Sequence, residues 1–196
     1  MRNDYSVDNE VFLFNGIKNK SLVRGFTLVE LILAISLLGV IVLGAATFDK
    51  ASHYFLRSSE RKARILNELN YIWEHLHKNI VSAEGNVNDP GIVASGNRLR
   101  LKEGNRWVEY RILKGSSNLE FCSQYNITTN SCEVNYETLS SRVMNENIFY
   151  NSTFANQVIV SNLILRFNPT QGFDPKTNPE VNMGNIIFTS LAHSIN

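Results

Sequence analysis

The chain has 196 residues, of which 43% are hydrophobic, with 19 Lys and Arg against 18 Asp and Glu. That length suits one domain with an appended segment, and a formal net charge of +1 provides no large basic field, so nucleic acid is not an expected partner. The apolar residues concentrate between Phe26 and Phe48, while the remainder is rich in Asn and Ser.

The first feature in chain order is the run "FTLVELILAISLLGVIVLGAATF", residues 26–48, whose only charge is Glu30. A helix of that length spans roughly 34 Å, enough for the hydrocarbon core of a bilayer. Lys18, Lys20 and Arg24 precede it, and Asp49 and Lys50 follow. The positive-inside rule therefore places the N-terminal 25 residues in the cytoplasm and the long C-terminal part outside it. A buried core helix is a poorer reading, because apolar runs this long usually mark membrane spans. A cleaved secretory signal is also poorer. Gly44, Ala45 and Ala46 offer small residues, but the run is too long and the helical pattern continues past it.

Beyond the run, Ile65, Leu69, Ile72, Leu76 and Ile80 recur at helical spacing, with Leu66 and Trp73 widening the stripe. Arg61, Lys62, Arg64, Asn67, Glu68 and Lys78 take the opposite face. One helix is expected from about Phe26 to about Ala83, a membrane half over 26–48 and an amphipathic half over 49–83, ended by "EGNVNDPG". The period then changes. "RLRLK" and "RWVEYRIL" alternate around "EGN" and read as a β-hairpin, with Leu99, Leu101, Val108, Tyr110 and Ile112 on one face. "NLEFC", "VIVSNLILRF" and "NIIFTSL" read as later strands. Residues 133–156 are ambiguous, and "GFDPKTNPEVNMGN" reads as loop. The expected class is α+β: a long N-terminal helix packed on a small antiparallel sheet formed by residues 84–196.

Little in this pattern carries catalysis. His75 and His77 are two apart on a helix and diverge; His53 and His193 are isolated. There is no phosphate loop, nucleophile elbow or zinc-protease motif. No catalytic residue, metal or cofactor is expected, and the protein is not expected to be an enzyme. The acidic and amide residues of 174–185 fit no calcium-ligand spacing. "NIT" at Asn126 and "NST" at Asn151 are glycosylation-type tripeptides that arise easily in an Asn-rich chain. Arg98, Arg100, Lys102 and Arg106 form a candidate basic strip, read first as a solubilising face. Cys122 and Cys132 enclose nine polar residues, "SQYNITTNS". In an oxidising compartment that spacing permits a disulfide contributing about 2–3 kcal/mol; two reduced thiols are the alternative.

"RGFTLVELILAISLLGVIVLGAATF" resembles the N-terminal segment of type IV pilins and of the pseudopilins of type II secretion systems. The matching residues are Gly25, Phe26, Thr27, Leu28, Glu30 and the apolar run beyond. The resemblance implies a pilin-like fold, cleavage between Gly25 and Phe26 by a prepilin peptidase, and methylation of the new Phe26 amine by the same enzyme. It also implies that Glu30 pairs with the N-terminal amine of a neighbouring subunit during assembly. The implied partners are the peptidase, other pilin or pseudopilin subunits, an inner-membrane assembly platform and inner-membrane lipid. The implied location is the bacterial inner membrane, single-pass, with the C-terminal domain periplasmic before incorporation into a filament.

"NRLRLKEGNRWVEYRIL", "NLEFC" and "LSSRVMNENIFY" are similar in order to the strands of minor, J-type pseudopilins and the minor pilins resembling them, a resemblance that implies a place at a filament tip or initiation complex. The sequence departs from the family in three respects. The 25-residue leader is long, the span lacks the proline common in major pilins, and the Cys pair is mid-domain rather than bracketing the C-terminus. The alternatives are a membrane-anchored periplasmic binding protein and a DNA-uptake pseudopilin.

Overall fold

The computed structural model describes residues 25–86 and 88–192. Residues 1–24 of the leader, including Lys18, Lys20 and Arg24, and His193 lie outside the described residues. The chain divides into two compact units, residues 1–46 and 47–196. A single helix, α1 (Leu28–Val81), begins in the first and ends in the second.

In the first unit, every described residue is exposed, and the helix meets the length and composition needed to cross a membrane. Gly39 and Gly44 do not interrupt it, and a Cβ at either would meet nothing within 4 Å. A helix apolar all round with none of it covered is stable only in an apolar medium or against other helices.

In the second unit, the residues of α1 that become buried are Ile65, Leu69, Ile72, Leu76 and Ile80, the stripe anticipated from helical period. Burial starts at Ile65; no residue from Thr47 to Arg64 is buried. Leu66 does not widen the stripe: at 39% exposure it points outward. Trp73 does, its ring lying 4.7 Å from that of Phe188.

The stripe packs with a six-stranded antiparallel sheet in one core. Its strands are β1 (Ile92–Ala94), β2 (Arg98–Glu103), β3 (Arg106–Ile112), β4 (Leu119–Asn126), β5 (Ser131–Cys132) and β6 (Glu137–Ser140), ordered β1-β2-β3-β4-β5 with β6 also on β4. The β2–β3 hairpin pairs Glu103 with Arg106 around Gly104 and Asn105. Gly104 has φ +61°, which a two-residue hairpin turn requires and glycine adopts without strain. Leu99, Leu101, Val108, Tyr110 and Ile112 are buried.

Two smaller antiparallel sheets complete the unit. β7 (Phe149–Asn151), β8 (Gln157–Ser161) and β11 (Asn185–Thr189) form one, ordered β11-β8-β7; β9 (Ile164–Arg166) and β10 (Glu180–Asn182) form the other. The run "VIVSNLILRF" therefore divides between two sheets. The break falls at Asn162, whose φ of 53° turns the chain. β10 lies inside the stretch read as loop. The larger sheet meets β7 where Gly96 N donates to Phe149 O and Phe149 N to Gly96 O, at 2.9 and 2.8 Å. Alongside, the Asn151 side chain accepts from Ala94 N and donates to Ala94 O, replacing a missing strand partner.

Candidate functional site

The N-terminal segment is built on a helix start. Thr27 precedes the first helical residue, and its Oγ1 accepts from Glu30 N at 3.3 Å. Glu30 reaches back: its Oε2 accepts from Thr27 N and from Thr27 Oγ1, both at 2.9 Å. This is a reciprocal capping box, which satisfies two N–H groups that a helix start leaves without partners. A carboxylate in the first turn also complements the positive end of the helix dipole. The signature was present in the sequence as Thr-x-x-Glu ahead of an apolar run, but reading Glu30 only as a counter-charge passed over it. Both bonds that the Glu30 carboxylate accepts end on Oε2; Oε1 has no partner among the described residues. The Gly25–Phe26 peptide lies just ahead of the cap in irregular chain, with Phe26 87% exposed.

Cys122 and Cys132 lie elsewhere, in the larger sheet. They are joined by a disulfide across β4 and β5, with Cα atoms 6.0 Å apart. Ser123 and Gln124 of β4 oppose Val108 alone, a β-bulge between the pairs Trp107–Tyr125 and Glu109–Cys122. The loop inside the disulfide is further fixed by its own polar groups. Asn126 Oδ1 accepts from Thr128 N and Thr129 N, and Asn130 Oδ1 accepts from Tyr125 OH and Arg100 Nη2.

Under this loop is a buried carboxylate that the alternation did not reveal. Glu109, on the face opposite Val108 and Tyr110, is 0% exposed. Arg100 Nε donates to its Oε2 at 2.8 Å, Tyr136 OH donates to its Oε1 at 3.0 Å, and Arg98 stands 3.8 Å away. Burial, reinforced by Glu109, pushes the Tyr136 phenol up to about 12. The candidate basic strip is thus a row of ion pairs: Arg98 and Arg100 on Glu109, Lys102 on Asp89, Arg106 on Glu103.

The histidines do not converge. His75 packs its ring 4.6 Å from Phe121, with Nδ1 2.7 Å from Tyr110 OH, and burial holds it below its ordinary value of 6.5. His77 is exposed beside Trp73. Among the described residues no group of three or more His, Cys, Asp or Glu is placed to hold a metal ion. The loop between β9 and β10 is instead tied by Asn178, which is buried. Its Nδ2 is within 3.2 Å of the carbonyls of Asn168, Gln171 and Gly172, and its Oδ1 accepts from Asn168 N. The same loop sits on α1: Ser58 Oγ donates to Pro175 O at 3.2 Å, and Arg61 donates to Thr177 O.

Residues 20–46 match the prokaryotic N-terminal methylation motif, a segment that holds Gly25, Phe26, Thr27 and Glu30. No curated protein and no solved structure matches the chain.

Proposed function

We propose that this chain, whose methylation motif supports membership of the type IV pilin and pseudopilin family, is a minor subunit of a pilus or secretion pseudopilus, at its tip or in its initiation complex. The observation that carries the reading is the motif set at the capped start of a helix whose apolar first half is long enough to cross a membrane. The Gly25–Phe26 bond, exposed and ahead of the helix, is the bond the prepilin peptidase cuts. Phe26 then presents an α-amine, which the same enzyme methylates.

In this reading the span inserts once, N-terminus cytoplasmic, with residues 47–196 in the periplasm. It leaves inner-membrane lipid for the filament through the assembly platform and other subunits. Glu30 serves twice. Oε2 closes the helix cap in cis, and Oε1 remains to accept from the Phe26 amine of a neighbouring subunit. A carboxylate in an apolar bundle needs that cation, and the pairing fixes axial register as well as charge. DNA uptake is not favoured, because the cations of the basic strip already face carboxylates.

N-terminal sequencing and intact mass of the membrane-extracted protein test the reading. The expected product begins at Phe26 and carries one methyl group. A terminus near Ala46, or an uncut Met1, would overturn it.

A further inference from the structure

We propose that the open cleft at the hairpin end of the larger sheet binds an uncharged saccharide. The cleft measures about 450 Å³ and lies between the β2–β3 turn and the β4–β5 loop. That volume falls in the range of small-ligand sites. Trp107 supplies an aromatic ring and Ile127, 46% exposed, an apolar neighbour. Asn105, Gln124 and Glu133 supply polar groups around them.

Three features make this a built site rather than a gap between loops. The bulge at Ser123–Gln124 displaces β4 where Gln124 enters the cleft wall, and bulges commonly re-aim side chains beside sites. The wall is braced by the disulfide, by the Asn126 cap of Thr128 and Thr129, and by Glu133 N donating to Gln124 O at 2.9 Å. Polar groups of the lining residues remain available: no hydrogen bond within the described protein engages the Trp107 indole N–H or the exposed side-chain amides of Asn105 and Gln124. Glu133 uses only Oε1, for Asn126 Nδ2.

The ligand class follows from that chemistry. An aromatic face takes the apolar C–H face of a pyranose ring, while amides that both donate and accept match hydroxyls, which do the same. A phosphate-bearing ligand is disfavoured. Arg106, on the rim, is paired with Glu103 at 2.8 Å, and Glu133 adds negative charge. The cleft lies wholly within residues 47–196, so the proposal does not depend on the filament reading.

The test is ligand-observed saturation-transfer NMR on the full chain in a phosphocholine detergent, whose headgroup carries no sugar. The probes are tri-N-acetylchitotriose and maltotriose, with 3′-sialyllactose as the acidic counterpart. At least one neutral trisaccharide should saturate at millimolar concentration. Trp107→Ala should weaken it about tenfold or more and Trp107→Phe much less, while Gln124→Ala should weaken it about threefold with an unchanged melting temperature. Failure of both neutral sugars to saturate, or equal binding by the Trp107→Ala protein, would overturn the proposal. So would a preference for sialyllactose.

Discussion

Thr27 and Glu30 hold each other across the first turn of α1: the threonine hydroxyl accepts from Glu30 N and donates to Glu30 Oε2, which also takes Thr27 N. The residue whose charge is proposed to guide assembly therefore also fixes where the helix begins. The two roles separate by substitution. Glu30→Gln keeps the reach and acceptor of a capping box but not the charge; Glu30→Ala loses both. Each should insert and be cleaved, since Gly25 is untouched. Co-purification with sheared filaments should fall on the order of a hundredfold or more in both, because the neighbour's amine loses its counter-charge. Amide hydrogen exchange over residues 28–31 should accelerate only in the alanine variant. Normal incorporation of Glu30→Gln would show that the charge is dispensable.

Thr27→Ala should cost about 1 kcal/mol at the helix start, and Thr27→Ser should restore it. The readout is the same exchange measurement in micelles. Equal protection in wild type and Thr27→Ala would remove the cap from the account.

His75 predicts how the folded unit of residues 47–196 responds to acid. Its folded value lies below 6.5 because burial against Phe121 and Tyr110 disfavours the cation. The unfolded chain therefore binds the proton first as pH falls. Stability should be level above about pH 7 and should decline as pH drops through 6.5 towards the folded-state value. Thermal melts from pH 7.5 to 5 should show this slope in wild type and a shallower one in His75→Gln. Parallel slopes would assign the acid response to other groups.

Removing one partner from the buried Glu109 cluster should be among the costlier changes in the sheet. Arg100→Ala takes the nearest cation from the Glu109 carboxylate, leaving Arg98 at 3.8 Å and the hydroxyls of Tyr136 and Tyr125. A loss of roughly 3–5 kcal/mol is expected by urea unfolding, and Arg106→Ala, on the exposed rim, should lose less than about 1 kcal/mol. Similar losses in the two variants would show that burial of Glu109 is not what matters.

The Cys122–Cys132 bridge should leave no alkylatable thiol in freshly prepared, non-reduced protein. Its reduction should lower unfolding stability by about 2–3 kcal/mol. Labelling of both cysteines without reductant would reject the bridge.

What the sequence disclosed tracks how local each feature is. Ile65 to Ile80 were legible because helical period and burial coincide there, and the β2–β3 hairpin because Gly104 marks its turn. Strand β10 was not, because three residues in a Pro- and Gly-punctuated stretch become a strand only through Glu180–Asn182 pairing with Ile164–Arg166. Glu109 misled for a related reason. Alternation assigned it to an outward face, and that face is then covered by Tyr136 and the disulfide loop, which arrive from later in the chain. At the N-terminus the fault lay in interpretation: Thr27-x-x-Glu30 is a local signal that a second reading of the same glutamate obscured.

The three carbonyls gathered on the Asn178 amide have a consequence for how this protein meets its surroundings. Protein loops that converge several oxygens on one point often do so around a divalent ion, and their shape then varies with the ion's supply. Here the occupant is a side chain of the same polypeptide, made when the chain is made. The contact of this loop with Ser58 and Arg61 therefore rests on a shape held by the chain's own side chain.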